Sequence, residues 1–280
     1  MENKIPAPLP VFTPIPAGTF LQGASPEDVE RAVDLRASWM QEASTRRQMM
    51  EKETPQREVT ITKGFDLATT PVTVGQFRAF VEAAGYETES QHNNRGGAFY
   101  DKGTFRESMD YTWETPLPDY TANDLEPVTQ VTYNDAWAYC KWLGAVTNSV
   151  CRLPTEAEWE YASLGKDREG YGMGADFLDP IAIHSAQDVE NAASRRANQY
   201  GLFDMLGNVW EWCSDYASEG WETAEPVMDP KGPTIGGARI RRGGSFSSPL
   251  NQLRSSYRKW SPPIYRGRIV GFRVLREKTS

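Results

Sequence analysis

Residues 201–212 read Gly-Leu-Phe-Asp-Met-Leu-Gly-Asn-Val-Trp-Glu-Trp, and they combine apolar side chains suited to a core with three polar ones. Asp204, Asn208 and Glu211 would each cost several kcal/mol if they were buried without partners. The stretch therefore predicts a buried polar centre whose carboxylates must be satisfied. A hard cation such as calcium would satisfy them, because it takes carboxylate and carbonyl oxygens. Backbone N–H groups of a turn-rich loop are the other possibility, and the residues alone leave both open.

The composition narrows the classes of protein that this sequence can encode. Its 280 residues carry a formal net charge of -8, which argues against nucleic acid or an anionic membrane as the main partner. Nine Trp, 12 Tyr and 23 Gly beside only 39% hydrophobic residues favour a loop-rich fold with aromatic anchors. No apolar run reaches the length of a membrane span, and residues 1–8 lack the features of a secretory signal. We therefore expect a cytoplasmic protein.

The cysteine content points to structural roles for these residues. Cys140, Cys151 and Cys213 are an odd number and form no Cys-x-x-Cys pair. This spacing argues against a disulfide framework and against a zinc site. Each cysteine is expected to fill space in the core as a small hydrophobic residue.

Local patterns divide the sequence into short elements. Residues 15–23 and 57–67 alternate like strands, residues 25–53 carry a charged helical pattern, and residues 92–126 predict a long irregular loop. Three helices are predicted to begin at a threonine whose side chain caps the first turn, with a polar partner three residues later. The pairs are Thr73 with Gln76, Thr132 with Asp135, and Thr155 with Glu158.

Five segments match, in order, the motifs of one protein family. They are residues 15–23, residues 153–162 (Leu-Pro-Thr-Glu-Ala-Glu-Trp-Glu-Tyr-Ala), residues 201–212, residues 242–246 (Arg-Gly-Gly-Ser-Phe) and residues 271–274 (Gly-Phe-Arg-Val). The sequence resembles the formylglycine-generating enzymes, or sulfatase-modifying factors, whose fold is a variant of the C-type-lectin fold. The resemblance implies a single α+β domain over residues 1–280, with short twisted strands, few helices and many irregular segments. A helical insertion near residues 25–53 and a C-terminal ligand-display segment near residues 239–275 are expected within it.

The resemblance also favours a cation in the polar centre. The family binds calcium at the positions that match this stretch. Carried over, the ligands would be the side chains of Asp204 and Glu211 and the carbonyl oxygens of Gly207 and Val209. We therefore expect a structural calcium ion at these residues.

The familiar catalytic arrangements find little support in the residues present. A metal oxygenase needs two or three neighbouring histidines, and His92 and His184 lie in different segments. A serine hydrolase needs a Gly-x-Ser-x-Gly elbow, which the sequence lacks, so Ser245 is expected to be a turn residue.

The copper chemistry of the family is also expected to be absent. Formylglycine-generating enzymes hold copper between two cysteine thiolates, three and eight residues after the serine of the Arg-Gly-Gly-Ser motif. Ser248 and Leu253 occupy those places here. Neither of them can replace a thiolate, which is the soft ligand that Cu(I) prefers. We therefore expect no copper and no catalytic residues of the family type.

The side-chain types of the last segment are instead typical of a binding surface. Residues 247–252 and 259–269 are rich in side-chain types that make binding hot spots on loops. This layout resembles the C-terminal variable region of proteins diversified by retroelements, which use the same lectin-like fold. The resemblance implies a non-catalytic protein that binds a protein or other macromolecule, with neither nucleic acid nor a membrane as partner. The candidate contact residues are Ser247, Ser248, Leu250, Asn251, Gln252, Trp260, Ile264, Tyr265, Arg266 and Arg268.

Two alternatives stay open at this point. Trp260 and Tyr265 would also be explained if they only completed the core. The sequence would also be explained as an oxidase or oxygenase of the same family that acts on a peptide or small metabolite without the two-cysteine copper site. Ser245, Trp210 and Arg258 would then lie near the pocket.

Overall fold

The computed structural model describes residues 8–34, 43–92, 96–101, 104–166, 180–219 and 223–278. The helices are α1 (Pro26–Asp34), α2 (Ala43–Glu51), α3 (Val74–Ala84), α4 (Glu89–His92), α5 (Tyr133–Thr147) and α6 (Glu156–Ser163), with a single 3-10 turn at Leu250–Gln252. The strands are β1 (Phe12–Ile15), β2 (Gly18–Gln22), β3 (Arg57–Ile61), β4 (Phe65–Ala68), β5 (Gly97–Asp101), β6 (Thr104–Ser108), β7 (Cys151–Arg152), β8 (Trp210–Tyr216), β9 (Val227–Met228), β10 (Arg239–Arg242), β11 (Arg258–Ser261), β12 (Val270–Gly271) and β13 (Leu275–Glu277).

The strands form small, mostly antiparallel sheets. One has the order β1-β4-β13-β7 and joins the first described strand to the last. A second has the order β11-β10-β8-β12, a third has the order β2-β3-β9, and β5 pairs with β6 as a hairpin. The predicted α+β class, with short strands and many irregular segments, is confirmed.

All three predicted helix caps are present. Thr73, Thr132 and Thr155 each accept a hydrogen bond from the backbone N–H three residues on, and the side chain of that residue returns to the cap. These motifs work because they satisfy backbone donors that a helix start leaves unpaired. They fix where α3, α5 and α6 begin.

Two predictions for the first half of the protein need correction. The charged pattern at residues 25–53 gives two helices, α1 and α2, and residues 35–42 between them lie outside the described residues. Residues 92–126 are not wholly irregular, because they contain the β5–β6 hairpin with its register from Gly97 opposite Ser108. Strand pairing there is set by contacts across the hairpin, which composition does not reveal.

Two hydrophobic clusters hold these elements together. The first packs α3 and α5 against the β8–β12 region, with Phe77, Tyr139 and Phe272 in mutual ring contact. The second surrounds Trp159 of α6, which packs against β8 and β10. Strand β8 lies between β10 and β12 at the junction of the two clusters, so its polar residues are placed deep in the molecule. Among the described residues, no helix has the length and apolar character needed to cross a membrane.

Candidate functional site

Glu211 of β8 is buried and fully engaged by protein groups. Its Oε2 accepts hydrogen bonds from Trp159 Nε1 at 2.7 Å and from Arg273 Nε at 2.7 Å, and its Oε1 accepts from Arg273 Nη2 at 2.8 Å. Arg273 also donates to the carbonyl oxygens of Ala68 and Phe203. The Arg273 guanidinium therefore balances the charge of Glu211 without a metal ion. Arg273 lies far away in the sequence, so residues 201–212 alone do not reveal it as the partner.

Asp204 is a buried carboxylate, and one of its two oxygens has no hydrogen-bond partner among the described residues. Its backbone lies in the left-handed region with a φ of 54°, and its Oδ2 accepts the Ala193 N–H at 2.8 Å. Its Oδ1 is buried and, within the described residues, has no hydrogen-bond partner. Burial raises the pKa of Asp204 to about 6. A bound cation would give Asp204 Oδ1 a partner, whereas both carboxylate oxygens of Glu211 already accept hydrogen bonds.

The rest of the predicted calcium loop has a defined shape. Gly207 has a φ of 80°, and a Cβ there would lie 2.2 Å from the Ile183 carbonyl oxygen, so only glycine fits. Asn208 is satisfied without a metal, because it exchanges hydrogen bonds with the Glu190 backbone. Across the described ranges, no cluster of three or more His, Cys, Asp or Glu side chains could hold a metal. A calcium ion here would be bound by Asp204 and by carbonyl oxygens such as those of Gly207 and Val209. Glu211 could contribute an oxygen only as far as its ion pair with Arg273 allows.

A second buried charge network joins α6 to the C-terminal strands. Arg242 of β10 donates to Glu156 Oε1 at 2.8 Å and to Glu160 Oε2 at 2.6 Å. Arg258 of β11 forks onto Glu156 through Nε and Nη2, at 2.9 and 2.7 Å. Glu160 also accepts the Gly23 N–H. Arg242 and Arg258 thus fix strands β10 and β11 to helix α6.

Asp215 lies at the edge of this network, beside a cleft of about 520 Å³. Its Oδ2 accepts the Glu156 N–H at the first turn of α6. Burial, and then the nearby Glu156 charge, raise the pKa of Asp215 to about 7. Arg57, Gln22 and Arg258 also line the cleft.

The raised pKa of Asp215 predicts a specific dependence of stability on pH. The folded protein holds this proton at pH values where the unfolded protein, in which an aspartate has its ordinary pKa of 3.8, has released it. Stability should therefore fall as pH rises from about 4 to about 7, by at most about 1.4 kcal/mol per pH unit for this one group. Asp215→Asn keeps an acceptor for the Glu156 N–H and should flatten that slope. Urea unfolding at about pH 5 and pH 8 measures the difference. An unchanged slope would show that Asp215 is not the group responsible.

Ser248 and Leu253 converge on one point of the backbone. A Cβ built at Gly244, whose φ is 79°, would lie 2.5 Å from Leu253 Cδ2 and 3.4 Å from the Ser248 Cβ. Ser248 Oγ accepts the Ser245 N–H at 3.0 Å, so Ser245 and Ser248 form the turn that the sequence predicts. Leu253 is completely buried in the second hydrophobic cluster. The two positions at which the family resemblance implies thiolates are therefore adjacent here, and a hydroxyl and an aliphatic side chain fill them.

The candidate contact residues divide into exposed and buried groups. Ser247 is exposed, Ile264 is 49% exposed, and Leu250, Trp260 and Tyr265 are partly buried; these five residues form what we call the display surface. The others are buried: Ser248, Asn251, Gln252, Arg266 and Arg268. This burial counts against direct ligand contact by the second group, a distinction that loop composition cannot make.

Arg266 and Arg268 are held by the scaffold. Arg268 pairs with Glu126 Oε2 at 2.9 Å and with Asp188 Oδ1 at 2.7 Å, while Arg266 donates to the Gly96 carbonyl oxygen and to Glu107. The Arg266 bonds fix the loop between β11 and β12 to the β5–β6 hairpin, and the Arg268 ion pairs fix it to Glu126 and Asp188. Their role here is to position that loop.

The three residues of the alternative enzymatic site do not all line the cleft beside Asp215. Arg258 lines the 520 Å³ cleft, but Ser245 and Trp210 are not among its lining residues. The cysteines are all buried, and burial raises the pKa of Cys140 and of Cys213. A thiol of that kind is a poor nucleophile, because only the thiolate reacts readily.

The lectin-like architecture is shared with solved structures. PvdO from Pseudomonas aeruginosa superposes with a TM-score of 0.75 and 24% identity, over 96% of this protein and 95% of that one. Treponema denticola variable protein 1 superposes with a TM-score of 0.66 and 19% identity, over 95% of each. At these identities the likeness defines the fold.

The family follows from sequence. The family model described as "Sulfatase-modifying factor enzyme 1-like domain" matches residues 2–278, and the protein belongs to that family. The formylglycine-generating enzyme of Streptomyces coelicolor is 32% identical over 80% of this sequence and 82% of its own length. The predicted family and fold are thus confirmed.

Proposed function

We propose that this protein is a non-catalytic member of the family that binds a protein or other macromolecule through its C-terminal segment. The observation that carries the proposal is the pair Ser248 and Leu253. Both lie beside Gly244, where two thiolates would have to converge, and neither supplies a soft ligand. With the described cysteines buried elsewhere, the copper-dependent step of the related enzymes lacks its ligands in this arrangement.

The display surface has the build of a preorganised binding site. Trp260 lies on β11 with Lys52 Nζ 4.4 Å from its ring centroid, and Ile264 projects from the following loop. The loop is anchored by the Tyr133 N–H to the Pro263 carbonyl oxygen and by the ion pairs of Arg268. Rigid aromatic and aliphatic groups on an anchored loop lose little entropy on binding, which favours affinity.

The finer form of the proposal is that this segment is diversified by a retroelement. The resemblance of residues 247–252 and 259–269 to a variable region supports it, as does the shared fold with a variable protein. The test is the DNA beside the gene. We expect a nearly identical template repeat that differs from the coding segment at adenines, with a reverse transcriptase gene nearby. Their absence, with an invariant segment across a sequenced population, would contradict diversification.

One observation favours a second candidate, an oxidase or oxygenase of the family that acts by another route. The protein is 32% identical to an enzyme over most of its length, and it contains a cleft with a carboxyl group whose pKa lies near neutrality. Oxygen consumption with peptide and small-metabolite panels tests this candidate. Turnover that is lost in Asp215→Asn would favour it over the display function.

We also propose a structural calcium ion at Asp204, with the carbonyl oxygens of Gly207 and Val209 and a contribution from Glu211. The incomplete Asp204 Oδ1 supports this, and the Arg273 ion pair of Glu211 weighs against a full share for that residue. Removing calcium with a chelator should lower the melting temperature, since at a hundredfold excess over Kd a ligand adds about 2.7 kcal/mol.

The matched control for calcium is Asp204→Asn, which keeps an acceptor for the Ala193 N–H. It should melt at the same temperature with and without chelator. If the unchanged protein also melts identically and elemental analysis finds no calcium, the ion is absent and Asp204 is held by the loop alone.

A further inference from the structure

Arg241 of β10 is a buried cation without a carboxylate partner among the described residues, although the Tyr265 side chain interacts favourably with its charge. The residue is 2% exposed, and its Nη2 donates to Ser261 Oγ at 2.7 Å. Its Nε and Nη1 are buried with no hydrogen-bond partner among the described residues, and no described carboxylate forms an ion pair with it. The adjacent Arg242 makes the contrast clear, because it pairs with both Glu156 and Glu160.

The surroundings of Arg241 are aromatic and carry a second cation. The guanidinium carbon lies 4.6 Å from the Tyr265 ring centroid, 5.5 Å from that of Trp212 and 5.9 Å from that of Trp210. Lys259 is its cross-strand partner on β11, with Nζ 5.6 Å from the Trp210 ring centroid. Burial lowers the pKa of Arg241 to about 10, and burial followed by the Arg241 charge lowers the pKa of Lys259.

The indole N–H of Trp212 is another buried donor beside Arg241. Trp212 Nε1 is buried and, in the part of the protein that the structure describes, finds no acceptor. Two cations and an indole N–H thus lie close together, and within the described ranges no carboxylate pairs with Arg241. A cation–π contact stabilises a cation by less than its burial costs. The aromatic rings therefore do not fully offset the burial of these charges.

We propose that Arg241, Lys259 and Trp212 form an anion subsite beneath the display surface, and that it takes a carboxylate from an acidic side chain of the macromolecular ligand. A planar carboxylate suits the fork of a guanidinium. Lys259 and Tyr265 are only partly buried, so they are the members of this group that solvent reaches. This inference rests on the proposed binding function and names the chemistry that the ligand must present.

The position within the fold supports the assignment. Tyr265 belongs to the display surface and lies over the Arg241 guanidinium, and Arg241 is paired with Lys259 across β10 and β11. An acidic side chain that reached Arg241 would lie beside Tyr265 of that surface. The subsite would thus add charge selectivity to a surface that is otherwise aromatic and aliphatic.

The variant Arg241→Met separates a binding role from a structural one. Methionine keeps much of the apolar stem and removes an unpaired buried charge, so the free energy of unfolding should stay the same or rise. Carboxylate affinity should fall at least tenfold. Lys259→Met should weaken it several-fold, and Arg276→Met, a surface pair with Asp66, should leave it unchanged.

The experiment titrates purified protein and follows tryptophan fluorescence. The probes are N-acetyl-glutamate amide, whose only carboxylate is on its side chain, and N-acetyl-glycine, which mimics the C-terminus of a peptide, each against sodium chloride at equal ionic strength. We expect saturable binding of the first probe in the unchanged protein, its loss in Arg241→Met, and unfolding by urea no easier in that variant. Tighter binding of N-acetyl-glycine would move the assignment to a peptide C-terminus and overturn the form of the proposal that names an acidic side chain.

Two results would overturn the subsite itself. One is no saturable response to either carboxylate in the unchanged protein. The other is a destabilised Arg241→Met variant that still binds the probes as before, which would make Arg241 a structural residue. Neither result depends on the retroelement test, so failure of the subsite and failure of the display function can be told apart.

Discussion

Replacing Arg242 with methionine should lower the free energy of unfolding by about 3–5 kcal/mol, the typical loss when one member of a buried ion pair is removed. Arg242 is completely buried between Glu156 and Glu160. Glu156 would keep its fork from Arg258, but Glu160 would keep only the Gly23 N–H. The uncompensated Glu160 charge is the main source of the expected loss.

The loss should be larger at about pH 8 than at about pH 5. Burial already raises the pKa of Glu160 to about 6, and removal of Arg242 raises it further. Because the folded-state pKa lies above the unfolded value, stability declines as pH rises through that interval. At the lower pH the carboxyl can protonate and escape part of the cost.

A surface pair provides the control for this measurement. Arg276→Met removes an ion pair with Asp66 in which the arginine side chain is 37% exposed, and it should cost less than about 1 kcal/mol. Both variants are compared by urea unfolding. If Arg242→Met costs no more than Arg276→Met, the network does not anchor the C-terminal strands to α6.

The second large effect is a gain of copper binding. Ser248→Cys combined with Leu253→Cys places two thiols next to each other beside Gly244. Since Cu(I) prefers soft thiolates and two of them make a linear site, the double variant should retain one equivalent of Cu(I) against a chromogenic competitor. Each single variant supplies one thiol and should lose the metal to the competitor.

The double variant must be shown to fold before its copper content is interpreted. Leu253 is completely buried, and trimming a buried leucine leaves a cavity that costs up to a few kcal/mol. Near-ultraviolet circular dichroism in reductant checks the packing around the tryptophans. A folded double variant that binds copper no better than the single ones would show that the two positions do not converge as described.

The features predicted from sequence were those encoded by neighbouring residues. The caps at Thr73, Thr132 and Thr155 use partners three residues away, and the fold class followed from motifs in a fixed order. The turn at Ser245 and Ser248 is local in the same way. For such features, the backbone geometry is decided within a single turn.

The partners of the buried charges could not be predicted in that way. Glu211 meets Arg273 across 62 residues and Glu156 meets Arg242 across 86, and 30 Lys and Arg side chains compete for these places. The same difficulty affected Arg266 and Arg268, which anchor a loop that composition had marked for display. Only the register of β10 on β11 distinguishes the unpaired Arg241 from the paired Arg242.

The proposed non-catalytic function predicts that this protein does not oxidise a substrate cysteine with copper. The most direct measurement incubates the purified, unmodified protein with copper, reductant, oxygen and a cysteine-containing sulfatase peptide, and follows the peptide by mass spectrometry beside an active formylglycine-generating enzyme. We expect no formylglycine, because Ser248 offers a hydroxyl and Leu253 offers no donor atom. Formation of formylglycine by the unmodified protein would contradict the proposed non-catalytic function.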